Sequence, residues 1–271
     1  MIPRSGLLDR VVRAGCCGTL ILLLAACRVD MRTTVNVAEN GSGTIMVVVT
    51  ADAEVVSNAP ELTTSLNLDD LRTAGWTVDV QSPNADGGLS VTVQRGFANA
   101  DEASLFLSQL SGDNGPLRNL SLTRAGSVND ARYALTGQAG LPRGVAGFAD
   151  SEALAVLGSP PFAASLEAQG VVLSDVLTMD LTLTMPGKVV ANNANTVLST
   201  EDDLAATFRW TIPTDQSEIA LDASTRDRDV SAMVASYIAT ALLVVLILMV
   251  AGGVLYVATV AYRRKGSTPA S

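Results

Sequence analysis

"DVLTMDLTLTMPGKVV", residues 175–190, decides how the rest of the chain is read. Leu177, Met179, Leu181, Leu183 and Met185 alternate with Thr178, Asp180, Thr182 and Thr184. In a strand, successive side chains point to opposite faces, so this period of two puts every large apolar group on one side. A strand of that kind is stable only as part of a sheet with one buried face. Pro186 and Gly187 punctuate it.

Upstream, "VDMRTTVNVAENGSGTIMVVVTAD" (29–52) holds two β-rich runs around Asn40-Gly41-Ser42-Gly43, a hairpin signal. "WTVDVQSPNADGGLSVTVQRGF" (76–97) predicts a second hairpin turning at Asn84–Gly88. It places Trp76, Val78 and Val80 on one face and pairs Leu89, Val91 and Val93 onto it. "LRNLSLTRAGSVNDARYALTGQA" (117–139) predicts a third hairpin around Gly126–Asp130. Downstream, "DLAATFRWTIP" and "EIALDAST" read as the last two strands.

Helical patterns lie between these runs. "ANADEASLFLSQLSGDNG" (98–115) has Asn99 as N-cap and Asp101 and Glu102 in the first turn, with Gly112 after the end. Its expected apolar face is Leu105, Phe106 and Leu110. A mixed, partly helical pattern runs from Ala53 to Gly75. The Gly-, Pro- and Ala-rich segment 140–175 predicts one or two short helices, clearest at Ser151–Leu157, broken by Pro160-Pro161. About nine strands and two to four helices give an α+β fold, an antiparallel, hairpin-rich twisted sheet with helices packed on one face.

The two ends differ from this body. Arg4, Arg10 and Arg13 precede an uncharged run from Ala14 to Ala26 that is too short for the roughly 20 residues of a spanning helix. A charged start, a short apolar core and small residues at its end describe a signal peptide. Leu24-Ala25-Ala26-Cys27 is similar to the bacterial lipobox. That similarity implies cleavage before Cys27 and lipidation of its thiol by a diacylglycerol, with acyl chains such as palmitate. A second uncharged run, from Val230 to Tyr262, is long enough to span a bilayer, and only a helix can do so there. Tyr237, Tyr256 and Tyr262 lie toward its ends, and Arg263-Arg264-Lys265 mark the cytoplasmic side. The expected organisation is a signal peptide at 1–26, an extracytoplasmic body at 27–229, a transmembrane region at 230–262 and a short cytoplasmic tail at 263–271. The chain is expected in the cell membrane, held by lipid at Cys27 and by a single pass at its C-terminal side.

Composition narrows the function. From Arg28 to Asp229 the chain carries 12 basic residues against 26 acidic ones, which repels phosphate backbones and argues against nucleic acid. Histidine is absent, so there is no Ser-His-Asp triad, HExxH site or His-ligated metal. After Cys27 there is no cysteine, hence no disulfide or thiolate site in the body. No G-x-S-x-G or P-loop occurs. Asp69-Asp70, Glu201-Asp202-Asp203 and Asp227/Asp229 read as solvated acids. No enzyme, metal or cofactor is expected.

One further resemblance spans most of the chain. The lipobox and the hairpin-rich body are followed by Pro186-Gly187-Lys188-Val189, Asn192, Trp210 and Ala223-Ser224, ahead of a single membrane helix with a basic tail. This arrangement resembles the actinobacterial LppM-type envelope lipoproteins. The resemblance implies a lipid-binding fold, with envelope glycolipids such as phosphatidylinositol mannosides as ligands. Such a ligand needs an apolar cavity with polar groups at its mouth. The lining candidates are Trp76, Phe106, Phe162, Met179, Leu181, Leu183, Met185 and Trp210. Arg143 and Lys188 are the cationic candidates for an anionic head. The partners expected are membrane lipids or envelope glycolipids. The alternative is a structural or assembly partner of another envelope membrane protein, in which Ala235 and Ala239 or Ser236 and Thr240 face a second helix.

Overall fold

A computed structural model describes residues 28–58, 68–111, 114–148, 170, 172–200, 202, 204–228, 234, 235, 237–247, 249 and 250. The signal-peptide run with Cys27, the helix expected at 151–157, Phe162 and the basic tail lie outside the described residues. The chain forms two units, Met1–Asp227 and Arg228–Ser271.

Eleven strands occur among the described residues of the first unit, in two sheets. The seven-stranded sheet has the order β3-β4-β2-β1-β7-β10-β9. Its strands are β1 (Val29–Val37), β2 (Gly43–Ala51), β3 (Thr77–Gln81), β4 (Leu89–Phe97), β7 (Leu177–Pro186), β9 (Thr196–Ser199) and β10 (Ala205–Thr211). The four-stranded sheet has the order β5-β6-β11-β8. It contains β5 (Leu117–Ser127), β6 (Asp130–Gly140), β8 (Lys188–Asn192) and β11 (Glu218–Arg228). The helices are short: α1 (Ala53–Asn58), α2 (Asp69–Thr73), α3 (Ala100–Ser111) and α4 (Leu173–Val176), with a 3₁₀ turn at Gly144–Phe148.

The fold is α+β and mostly antiparallel, as the alternation predicts, but the strands divide between two sheets. The three expected hairpins form. β1 pairs with β2 from Val29↔Ala51 to Val37↔Gly43. In the second hairpin Val78 faces Val93 and Val80 faces Val91. Its turn is closed by Asn84, whose Oδ1 accepts the Asp86 and Gly88 amides at 3.0 and 2.8 Å. The third joins β5 to β6 across Ser127↔Asp130. The pairing that holds the large sheet together is parallel: β1 runs beside β7 from Val29↔Leu177 to Asn36↔Thr184.

The two sheets share one strand path. β7 ends at Pro186, and Gly187, at φ +87°, turns the chain into β8 of the second sheet. A Cβ there would stand 2.4 Å from the Arg226 carbonyl, so only glycine fits against β11. The buried Thr225 hydroxyl donates to the Pro186 carbonyl at 2.6 Å and ties this corner down. β8 then carries a bulge at Val190, because Val189 faces Thr225 while Ala191 faces Ser224.

The core lies between the inner face of the large sheet, the small sheet and α3. Val35, Ile45, Val47, Met179, Leu181, Leu183, Met185, Phe208 and Trp210 come from the first. Leu122, Tyr133, Leu135, Leu221 and Ala223 come from the second. The cap of α3 is as expected: Asn99 Oδ1 accepts the Glu102 amide at 2.9 Å, while Glu102 accepts the Ala98 amide. Its buried face is a correction. Ala103, Phe106 and Leu107 point inward, whereas Leu105 is 54% exposed. Ser104 sets this rotation, since its hydroxyl bonds both the amide and the carbonyl of Leu122 on β5.

In the second unit, residues 237–247 are helical with exposed side chains. Among the described residues no helix is long and apolar enough to cross a membrane. Much of the run 230–262 lies outside them.

Candidate functional site

The lining candidates fall into two groups on the inner face of the large sheet. The first surrounds β7. Met179, Leu181, Leu183 and Met185 are 0–1% exposed, and Leu181 stands opposite Trp210 on β10. Trp210 stacks on Phe208 with centroids 6.1 Å apart. The second group lies on the β3–β4 side, four strands away from β10. Trp76 and Phe106 meet edge to face at 6.4 Å. All of these side chains belong to one continuous buried cluster, filled by their own neighbours. Among the described residues the only fully buried polar side chains are Thr33, Thr214 and Thr225, and no charged residue is fully buried.

Arg143, just before the 3₁₀ turn, and Lys188, at the start of β8, are both exposed. They lie toward opposite ends of β11: Lys188 pairs with Arg226, and Gly144, next to Arg143, lies beside Gln216. Phe162 and Cys27 lie outside the described residues.

Two residues that the alternation did not single out organise these groups. Arg95 on β4 holds its guanidinium 3.5 Å from the Phe106 ring centroid and 6.0 Å from that of Trp76. It closes the aromatic pair from the solvent side by cation–π attraction. Its signal in the sequence is a lone arginine at an inward-facing position of a strand, between Val93 and Phe97. Asn193 follows β8, and its Oδ1 accepts both the Trp210 indole N–H and the Asp222 amide at 2.9 Å. Its Nδ2 donates to the Ala220 carbonyl at 2.8 Å. The asparagine-rich "ANNANT" stretch, residues 191–196, is the trace it leaves. Asn192 helps in a smaller way, accepting the Ala194 amide at 3.1 Å.

The tip of the first hairpin is pinned to the small sheet. The Tyr133 hydroxyl and the Arg124 Nε both donate to the Glu39 carbonyl, at 2.5 and 3.2 Å. On the sheet margins, Arg226 binds both carboxylate oxygens of Asp130 at 2.7 Å, and Arg118 pairs with Glu218 at 2.6 Å. The Asp130 hydrogen bond raises the Arg226 pKa above its ordinary value. Among the described residues no group of three or more Asp, Glu or Cys side chains is placed to hold a metal.

No family model matches the sequence, and no curated protein matches it. Comparison with solved structures finds a likeness to the folded domain of the Mycobacterium tuberculosis LppM protein, determined by NMR. The two chains are 12% identical with a TM-score of 0.39, over 75% of this chain and 92% of that one.

Proposed function

We propose that this chain is an exported envelope lipoprotein, held to the membrane at both ends, whose α+β body binds an envelope lipid or glycolipid of the phosphatidylinositol-mannoside kind. It acts by binding, without catalysis. The observation that carries the binding is the apolar layer between the two sheets. Its inner face on β7 holds Met179 and Met185, thioether side chains with three rotatable bonds that re-pack readily. An acyl chain inserted there displaces side-chain contacts of its own chemistry and buries no charge. The head group stays at the surface, where Arg143 or Lys188 contacts its phosphate.

Support for the anchoring comes from the chain boundary. Arg28, the residue after the lipobox cysteine, is already part of the fold: its amide donates to Asp52 Oδ2 at 2.7 Å, and its carbonyl accepts the Asp52 amide. β1 begins one residue later. Cleavage before Cys27 leaves every described residue of this body in place.

Native mass spectrometry of the full chain, extracted in mild detergent from actinobacterial cells, tests both parts. The expected result is a covalent diacylglyceryl increment on Cys27 and a further non-covalent lipid mass. A lipidated chain with no adduct, even after incubation with envelope lipid extract, overturns the binding.

A further inference from the structure

The points where the anchors leave the body are fixed by β7. At its start, Arg28 Nη2 donates to Thr178 Oγ1 at 3.3 Å. At its end, Gly187 packs directly against the Arg226–Asp227 peptide. Thr178 and Gly187 are separated by nine residues, a span of roughly 30 Å at the rise of a strand. Cys27 adjoins Arg28 without a linker. The uncharged run begins at Val230, two residues beyond Arg228, and stretching it through water would expose apolar surface. An anchor at each end of one strand lays that strand along the bilayer.

β7 buries one face in the core, so the other face is what it offers to the membrane. On that outer face the register aligns Thr34, Thr182 and Arg209 in one row, Arg32, Asp180 and Thr211 in the next, and Asn36, Thr184 and Thr207 in a third. None of these residues is buried. Charge favours the same side. Three arginines (Arg28, Arg32, Arg209) stand among four aspartates (Asp30, Asp52, Asp79, Asp180) on this side, a smaller excess of acid than in the body as a whole. Asp30 is paired with Arg28, Asp180 accepts from the Thr211 hydroxyl, and Asp79 accepts from Gln81. Arg32 and Arg209 bond no other described side chain and remain available to phosphate.

The geometry points to the outer, threonine-lined face of the seven-stranded sheet as the surface that lies on the lipid head groups, with Arg32 and Arg209 as its phosphate contacts. This rests on the two-anchor reading above. It presents the four-stranded sheet to the space away from the membrane.

The test uses the full chain in vesicles of phosphatidylethanolamine and phosphatidylglycerol containing a nickel-chelating lipid. Cys16 and Cys17 precede the lipobox, and the Cys27 thiol is consumed by lipidation, so introduced cysteines are the only reactive ones in the mature chain. Nitroxides are placed by Thr182→Cys or Thr211→Cys on the outer face and by Thr136→Cys on the small sheet, with circular dichroism confirming each fold. Relaxation enhancement by the head-group nickel is expected to be at least three-fold greater at 182 and 211 than at 136. Equal enhancement, or a greater one at 136, overturns the orientation while leaving the anchors intact. Mass spectrometry of the same samples separates the two: lack of the diacylglyceryl increment on Cys27 overturns the two-anchor reading and the orientation together.

Discussion

The Trp210 indole N–H donates to Asn193 Oδ1 at 2.9 Å, across the junction of the two sheets. Asn193 belongs to the turn after β8 of the small sheet, and Trp210 lies on β10 of the large one. The same amide oxygen accepts the Asp222 amide from β11. One asparagine therefore satisfies a buried indole and registers the last strand.

Asn193→Ala leaves the buried indole donor without a partner, which costs roughly 2 kcal/mol. Trp210→Phe removes the donor and the need for it, so the double variant costs less than the sum of the singles. Urea unfolding of the four chains of this cycle measures the coupling, expected near 1 kcal/mol. Strictly additive effects show that the bond contributes nothing to stability.

Glycines 187 and 75 share a backbone angle and differ in surroundings. Both have φ of +87°, but a Cβ on Gly187 meets the Arg226 carbonyl carbon at 2.4 Å, while one on Gly75 meets only the Arg95 guanidinium at 3.7 Å. Gly75→Ala is expected to cost about 1 kcal/mol from the left-handed conformation alone. Gly187→Ala adds a backbone collision and costs at least about 3 kcal/mol, or prevents folding. Thermal melts of the two variants rank them.

The physics of this corner explains what the sequence could reveal. Hairpins are local, so Asn40-Gly41 and the run Asn84–Gly88 announce their turns in a few residues. The β7 alternation likewise announces its buried face. The β1–β7 pairing joins residues about 150 positions apart, and no periodicity records such a partner. The second sheet depends on Gly187 turning β7 away from its own sheet, a consequence of contact with Arg226 and not of the local pattern. The α3 face departs from its sequence pattern for the same reason. Ser104 takes up the Leu122 backbone groups, and that rotation turns Leu105 outward and Leu107 inward. For the site, the apolar groups of β7 and Trp210 were legible. Arg95 and the Arg32/Arg209 pair were not, because their meaning lies in what neighbouring strands place beside them.

Arg95→Met keeps much of the aliphatic stem over Phe106 and removes the charge. A cation over an aromatic face at partial exposure is worth about 0.5–1 kcal/mol, so a loss of that size is expected. In a Trp210→Phe background the remaining tryptophan is Trp76, and its emission is expected to shift to the red as water reaches the ring. Unchanged emission and stability count against the guanidinium as the cover of this pair.

Asp215 provides a pH-dependent element. Its carboxylate accepts the Ser217 hydroxyl at 2.5 Å and the Ser217 amide at 3.2 Å, and these bonds lower its pKa from 3.8. A depressed carboxylate contributes stability above its unfolded value, which is lost as pH falls through the folded one. The turn before β11 is therefore intact at neutral pH and loosens only below pH 3.8. NMR titration of the Ser217 amide is expected to show a midpoint under 3.8, and Asp215→Asn to abolish the transition.

Leu181 is the sharpest probe of what fills the space between the sheets. It is fully buried at the centre of β7, opposite Trp210 and between Met179 and Met185. Leu181→Ala removes buried methyl groups and leaves a cavity, at a cost of about 3–5 kcal/mol. A core that serves only packing gains nothing from added lipid. If an acyl chain enters this layer, it fills the vacated volume and stabilises the folded state through mass action, by about 2.7 kcal/mol at a lipid concentration one hundred times its Kd. The expected outcome is a larger lipid-induced rise in Tm for Leu181→Ala than for the parent chain, when envelope lipid is titrated into a constant detergent background. An exposed control, Leu105→Ala, changes neither the stability nor the response by more than a few tenths of a kcal/mol. A Leu181→Ala chain whose Tm stays low at every lipid concentration separates the core from the ligand and removes the physical basis for binding between the sheets.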